Sequence, residues 1–278
     1  MPKPARPGRS GASTRQPAGH KMARPHGLAR VLSKLGIASR TQAAQWIGLG
    51  RVRVNGRVQC DPEFPTWQGR DRITLDGNEI GASARHYLML NKPRGLLTST
   101  RDERGRDTVY RCLDGANLPW LLPVGRLDKA SEGLLLFCND PEWAARITDP
   151  GSAPNAGVGG ASSPESRSPD KTYHVQIDCI PDAALLTRLV QGIDCDGEHL
   201  SVKSATLLRH GARNAWLEIV LDEGRNRQIR RLLAAHHIGV LRLLRIAIGS
   251  LPLGDLPKGQ WRMLTDAEAE ALAPTARQ

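Results

Sequence analysis

Three clusters of residues in this chain carry groups able to do chemistry. Gly125-Arg126-Leu127-Asp128 places a carboxylate after a glycine-opened turn, and Ser131-Glu132-Gly133 and the apolar run Leu134 to Phe137 follow it. An ionised carboxylate serves as a nucleophile or as a general base. Taken alone, Asp128 is more often a turn residue than a nucleophile. The second cluster, Glu223 to Arg231, holds Arg225, Arg227, Arg230 and Arg231 at the opening of a helix whose apolar positions Ile229, Leu232, Leu233 and His237 are expected to face a core. Guanidinium forks match phosphate and carboxylate equally well, and a solvated basic face fits the same pattern. The third cluster is Lys171-Thr172-Tyr173, where strand alternation puts Lys171 and Tyr173 on one side. An aromatic residue in a strand is ordinarily packing. Glycoside hydrolysis would need a second carboxylate across the scissile bond from Asp128, and nothing in the sequence sets Glu132 or Asp140 there.

These residues need a scaffold. Leu134 to Phe137, closed by Asn139-Asp140, reads as a buried strand that holds the Asp128 loop from behind. Strands are also expected at Tyr87 to Asn91, with Lys92-Pro93-Arg94-Gly95 as the turn after it, at Tyr173 to Ile177 and at Trp216 to Leu221. Helices are expected at Asp182 to Gln191 and Gln228 to His236. Strands and helices without regular alternation give an α+β class with a mixed, largely antiparallel sheet rather than a doubly wound parallel one.

Upstream, Leu28, Val31, Leu32 and Leu35 recur at helical spacing until Gly36. Ser39 is placed to cap a second helix with Ala43, Ala44 and Ile47 on its apolar side, ended by Gly48 and Gly50. Arg51-Val52-Arg53-Val54-Asn55-Gly56 alternates and closes on Asn-Gly, the strongest short hairpin signal. Two helices and a small hairpin therefore form an N-terminal unit, on which Arg30, Lys34, Arg40, Arg51 and Arg53 can track phosphates.

The chain has 278 residues and a formal net charge of +11, which favours two domains and a polyanionic partner, nucleic acid first. Residues 1–25 hold six cations and no acid among many Pro, Gly and Ser residues and read as a disordered basic tail. Residues 151–170, rich in Gly, Ala, Ser and Pro, read as a flexible insertion, and 269–278 as a C-terminal tail. Five scattered cysteines without Cys-x-x-Cys spacing give neither a disulfide framework nor a zinc site. No apolar run reaches the roughly 18 residues of a membrane span, so a cytoplasmic location is expected, ahead of an organelle transit peptide.

The stretch from Leu28 to Ile80 resembles the S4 RNA-binding domain through Leu35 to Arg40 and Gly50 to Gly56. Gly125 to Leu135, Lys171 to Tyr173 and Gly224 to Arg231, in this order, resemble the motifs of the RsuA-like family of ribosomal RNA pseudouridine synthases, and the resemblance extends to Leu264. It implies an S4 domain over 26–82 and a catalytic domain over 85–268. It further implies isomerisation of uridine to pseudouridine in ribosomal RNA, large-subunit RNA ahead of small, by base flipping and an aspartate nucleophile. By resemblance Asp128 is that nucleophile, Tyr173 lies against the uracil, Arg230 pairs with the Asp128 carboxylate and Leu243 packs beside the base. Arg126, Lys171, Arg227 and Arg231 would be RNA or loop contacts. No cofactor or metal is implied; the partner is ribosomal RNA or a ribosomal assembly intermediate, met by a monomer. A catalytically inactive S4-type RNA-binding or ribosome-assembly protein is the alternative. The sequence departs from the family at Pro141, where Gly is usual, and in the length of 151–170.

Overall fold

The computed structural model describes residues 24–100, 104–148 and 168–273. The expected basic tail, except Arg24 and Pro25, and the expected insertion up to residue 167 lie outside the described residues.

The first unit comprises β1 (His26–Gly27), α1 (Leu28–Lys34), α2 (Arg40–Gly48), β2 (Val52–Val54), β3 (Arg57–Val58), β4 (Pro65–Thr66), β5 (Ile73–Leu75) and β6 (Asn78–Glu79). The Ser39 hydroxyl accepts from Gln42 N at 2.9 Å, which caps α2 as its position predicts. Asn55 and Gly56 have φ of 51° and 81°, the two left-handed residues that a two-residue hairpin with matching twist requires. Leu28, Val31, Leu32, Ala43, Ile47, Val52, Val54 and Ile73 close over one another as a small core.

The second unit comprises β7 (Tyr87–Lys92), β8 (Leu122–Val124), β9 (Glu132–Cys138), α3 (Pro141–Thr148), β10 (Lys171–Ile177), α4 (Ala183–Gln191), β11 (Ile193–Cys195), β12 (Glu198–Leu200), β13 (Ser204–His210) and β14 (Ala215–Leu221). It continues with α5 (Gln228–Ala235), β15 (Val240–Ile248), β16 (Leu251–Pro252), β17 (Trp261–Met263) and α6 (Asp266–Leu272). Its main sheet runs β13-β14-β10-β15-β9-β7-β17. Every named pair in it is antiparallel except β15 with β9, in the register Leu244 to Glu132 and Arg245 to Gly133. The α+β expectation holds.

Strand β9 is buried along its whole length because both faces are covered. Leu135 and Phe137 pack with α4 and α5, whereas Leu134, Leu136 and Cys138 pack with Trp143, Ile147 and α6. Each such fully buried leucine or phenylalanine contributes about 1.5–3 kcal/mol. Gly133 has φ of 101°, and a Cβ there would meet Arg245 O at 2.2 Å, so glycine is what lets β15 close against β9.

Several expectations shift. Pro141 opens α3 at a position where a missing N–H is harmless, and Asp140 Oδ1 accepts from Glu142 N and Trp143 N at 3.1 and 3.2 Å. Ala269, Leu272 and Ala273 are buried, and Trp143 Nε1 donates to Ala269 O at 2.9 Å, so α6 spans the boundary expected at residue 268. His237 is exposed with φ of 61°, beyond the end of α5, and does not join the apolar face predicted for it.

The two units meet around Asn139. Its amide donates to Ala84 O and accepts from His86 N, both at 2.8 Å, Ser83 N donates to Leu35 O at 3.2 Å, and Lys34 pairs with Glu142 at 3.3 Å.

Candidate active site

The loop from Gly125 to Ser131 joins β8 to β9 and is tied down through its backbone. Thr98 Oγ1 donates to Leu127 O at 2.7 Å, Gly95 N to Lys129 O at 2.7 Å, and Ser131 N to Asp128 O at 3.0 Å. Beneath it lies Lys92, which has no exposed surface, and whose Nζ donates to Ser131 O at 2.9 Å and to Asp128 O and Pro93 O at 3.2 Å. Burial pulls the Lys92 pKa down to about 8, with the Asp128 charge the largest opposing influence. Lys92 therefore acts as a nail through three carbonyls, and the sequence expectation of a mere turn there missed it. A lone lysine ending an apolar strand was the available signal.

Asp128 keeps its carboxylate free of these backbone ties and lines a pocket together with Arg126, Lys171, Tyr173, Arg227, Arg230 and Leu243. Seven of the predicted residues, scattered over three motifs and a late strand, thus converge. Tyr173 and Leu243 are buried side chains on adjacent strands, facing the same side of the sheet.

The arginine partners differ from expectation. Among the described residues, Arg227 Nη1 is the guanidinium nitrogen in ion-pair range of Asp128 Oδ2, at 3.7 Å. Arg227 stands at the N-terminus of α5 with φ of 49°, a left-handed conformation disfavoured by about 1–2 kcal/mol for such a residue. Arg230, one turn on, instead donates to Ala130 O at 3.3 Å and to Val240 O at 3.4 Å, and its Nε has no partner. Burial, and then the like charge of Arg227, lower its pKa, with Asp128 acting in the opposite direction. So Arg230 lies within the field of Asp128 but braces the loop carbonyl next to it, because the αL turn carries Arg227 across the pocket mouth first.

Arg231 points elsewhere: it pairs with Glu198 at 2.5 Å and Asp196 at 3.4 Å and fastens α5 to the β11–β12 hairpin. Glu132 and Asp140 are likewise structural. Burial would raise the Glu132 pKa, but hydrogen bonds from Arg242 at 3.0 Å and Lys258 at 2.6 Å outweigh it and hold the group below the usual value. Asp140, 4% exposed, accepts from Arg85 and Tyr87 at 2.6 and 3.0 Å. Neither lines the pocket with Asp128, so among the described residues no second carboxylate stands where a two-carboxylate glycosidase needs one.

On the first unit, Arg51 pairs with Asp76 at 2.5 Å, Arg53 donates to Gly56 O at 3.2 Å, and Lys34 is held by Glu142. Arg30 and Arg40 are exposed on α1 and α2. No helix among the described residues is long and apolar enough to cross a membrane.

Arg245 also lines the pocket and was not singled out from sequence, although it lies two residues from Leu243 on the same strand. Lys171 Nζ donates to Ser168 Oγ at 2.6 Å, and burial, followed by the charge of Arg245, lowers its pKa to about 8.

Comparison with known proteins agrees with this arrangement. The model of the S4 domain matches residues 27–65, and that of RNA pseudouridylate synthase matches residues 86–235. An uncharacterized RNA pseudouridine synthase of Aquifex aeolicus is 34% identical over 251 residues, covering 87% of this chain and 92% of the relative. The ribosomal large subunit pseudouridine synthase B of Bacillus subtilis is 32% identical over 252 residues, covering 90% of this chain and 96% of the relative. A crystal structure of a pseudouridylate synthase, 28% identical, aligns with a TM-score of 0.59 over 89% of this chain and 100% of its own. With the loop carboxylate, the strand tyrosine and the arginine helix gathered around one pocket behind an S4 domain, the chain belongs to the RNA pseudouridylate synthase family.

Proposed function

We propose that the protein converts one uridine of ribosomal RNA, in the large subunit, to pseudouridine, with Asp128 as the nucleophile. It meets free ribosomal RNA or an assembly intermediate, as a monomer in the cytoplasm. The observation that carries the reading is the Asp128 carboxylate, held by a loop nailed from below yet open to a pocket walled by Tyr173 and Leu243. The large-subunit assignment is supported by the names of relatives from Bacillus subtilis, Haemophilus influenzae and Pseudomonas aeruginosa.

The chemistry suits these residues. The glycosidic bond from C1′ to N1 must break, the base must turn, and C5 must join C1′. Atoms and oxidation state are conserved, so the reaction calls for no redox partner. A carboxylate adds to C1′ as the base departs, or assists loss of the C2′ proton. The uridine must first leave its stack at a cost of a few kcal/mol, offset in part by packing of the base between Tyr173 and Leu243. Arg227 stands 3.7 Å from the Asp128 carboxylate, and Arg126 and Arg227 at the rim take up phosphate. The S4 domain adds phosphate contacts that orient the RNA without reading its sequence. The inactive-protein reading gains nothing from this pocket, which keeps carboxylate, aromatic wall and guanidinium groups together.

Two measurements test this. Mapping pseudouridine in ribosomal RNA from cells lacking the protein should show one site lost in large-subunit RNA; loss only in small-subunit RNA would overturn the subunit assignment, and no loss the substrate. Purified Asp128→Asn should bind the same RNA fragment as the parent protein and form pseudouridine at least about a thousandfold more slowly. Turnover within tenfold of the parent would move the nucleophile elsewhere.

A further inference from the structure

We propose that Arg245 and Lys171 form a cationic floor of the Asp128 pocket that holds the carbonyl oxygens of the uracil anion while it is detached from its ribose. The proposal rests on the function just put forward and adds the group that stabilises the leaving base.

Placement comes first. On β10 the side chains of Lys171 and Tyr173 line the pocket, and on the adjacent β15 those of Leu243 and Arg245 do the same. Tyr173 and Arg245 are directly paired across the ladder. The two apolar walls expected to grip a flat base are therefore each two residues along a strand from a cation. Gly133, the neighbour of Arg245 on the other side, contributes no side chain between the strands.

Charge comes second. Arg245 is 4% exposed; its Nε donates to Leu134 O at 2.7 Å, and its Nη2 has no hydrogen-bond partner. Lys171 rests on the Ser168 hydroxyl. Among the described residues neither cation has a carboxylate within 4.0 Å, although buried cations are ordinarily paired. Asp128 is the one carboxylate lining this pocket among the described residues, against Arg126, Lys171, Arg225, Arg227, Arg230 and Arg245. Mutual repulsion accompanies burial in pulling Lys171 down to about 8. Among the described residues, a pocket in this condition has more cations than anions.

The reaction supplies one. When C1′–N1 breaks, its electron pair leaves with N1 and spreads onto O2 and O4, while the Asp128 carboxylate bonds C1′ or the C2′ proton is lost. When C5 bonds C1′, Asp128 departs as carboxylate or C2′ regains its proton, the proton on C5 leaves, and N1 takes one up. Between these events the base is a flat anion that must turn without escaping. Preorganised cations aimed at charge that develops only in that interval accelerate the step rather than tighten substrate binding. A phosphate fits this position less well, since it stays on the RNA backbone outside, where Arg126, Arg225 and Arg227 are exposed.

The test compares leaving groups. RNA fragments carry either uridine or 5-fluorouridine at the modified position; fluorine makes the uracil anion intrinsically more stable and so less dependent on a cationic floor. Disappearance of the N1-linked nucleoside is followed in single turnover at saturating RNA for the parent, Arg245→Met and Lys171→Met. Arg245→Met should slow uridine cleavage by about a hundredfold or more, with RNA affinity within threefold of the parent, and the loss should shrink at least tenfold on 5-fluorouridine. Lys171→Met should show the same narrowing with a smaller starting loss, and Lys171→Arg should restore most of the rate. Should Arg245→Met fail to fold, the Lys171 pair reads the same ratio. Equal losses on both bases, or a loss confined to RNA affinity, overturn the floor. A parent protein that leaves uridine untouched overturns the underlying function, and the floor with it.

Discussion

The cations of the S4 domain and those of the Asp128 pocket have opposite surroundings. On the S4 domain, Arg51, Arg53 and Lys34 are already engaged by Asp76, by Gly56 O and by Glu142, while Arg30 and Arg40 stand in solvent. In the pocket, Arg230 and Arg245 each hold a nitrogen without a partner, and Lys171 leans on a hydroxyl. Exposed pairs in water contribute little, about 0–1 kcal/mol, and are screened by salt. Unpaired cations away from water are unfavourable in the empty protein and become favourable only when an anion arrives. On the proposed function, the first kind would steer RNA and the second would serve one chemical step.

The largest effect separates the two arginines near Asp128. Arg230→Ala should lower the single-turnover rate by about 10²–10³ with RNA affinity little changed, because it removes a half-buried guanidinium. Arg227→Ala should cost no more than about fivefold, since its 3.7 Å pair with Asp128 is exposed to water. The reverse order would show that the pair at the mouth, and not the buried group, matters.

Next in size is the response to pH. The groups around Lys171 are Arg245, Asp170 and Asp222, and its pKa is lowered to about 8 from an ordinary 10.5, with burial the main cause. The folded state therefore loses this proton at lower pH than the unfolded state. Its burial penalty is present below pH 8 and is relieved as pH rises from about 8 toward 10.5. Lys171→Met should melt at a higher temperature than the parent at pH 7, and the difference should shrink as pH rises from about 8 and vanish above 10.5. The rate of the parent should fall up to tenfold per unit above pH 8, and Lys171→Arg should remove the part of that fall due to this residue. Lys92 titrates in the same range, so an unchanged profile in Lys171→Arg would assign it to Lys92.

The smallest effects belong to the S4 surface. Removing Arg30 and Arg40 together should weaken RNA binding severalfold, lower the salt dependence by about two counterions and leave the rate at saturation unchanged. Arg51→Ala should change affinity less than twofold, because Asp76 already occupies that guanidinium. A large loss for Arg51→Ala would show that RNA displaces Asp76, and would erase the distinction between engaged and free S4 cations.

Much of this architecture was legible along the chain because its signals are local. Ser39 as a cap, Asn55-Gly56 as a hairpin, the helix expected over Asp182 to Gln191, and the buried run in β9 each depend on a few neighbouring residues. Convergence of Asp128, Tyr173 and Arg230 was expected from the resemblance of their motifs and is found in one pocket. The partner of Asp128 was misread. Which arginine of a tight cluster reaches a carboxylate depends on the φ of Arg227 and on the distance across a strand-to-helix crossing.

By itself, then, the amino-acid sequence determined the class of fold, the caps and turns, the S4 domain and the three groups that meet at the site. The fold class, caps and turns follow from periodicity and turn chemistry, and the S4 domain and the three groups from the resemblance of their motifs to known families. Tertiary structure alone decided that Lys92 nails the Asp128 loop, that Glu132 is locked by Arg242 and Lys258, that Arg231 braces a hairpin, and that Arg245 Nη2 is left without a hydrogen-bond partner beside Tyr173. Each of these depends on burial and on partners distant in the chain, from 33 residues for Arg231 and Glu198 to 126 for Lys258 and Glu132, and desolvation of a charge is a property of the folded environment rather than of the residue that carries it.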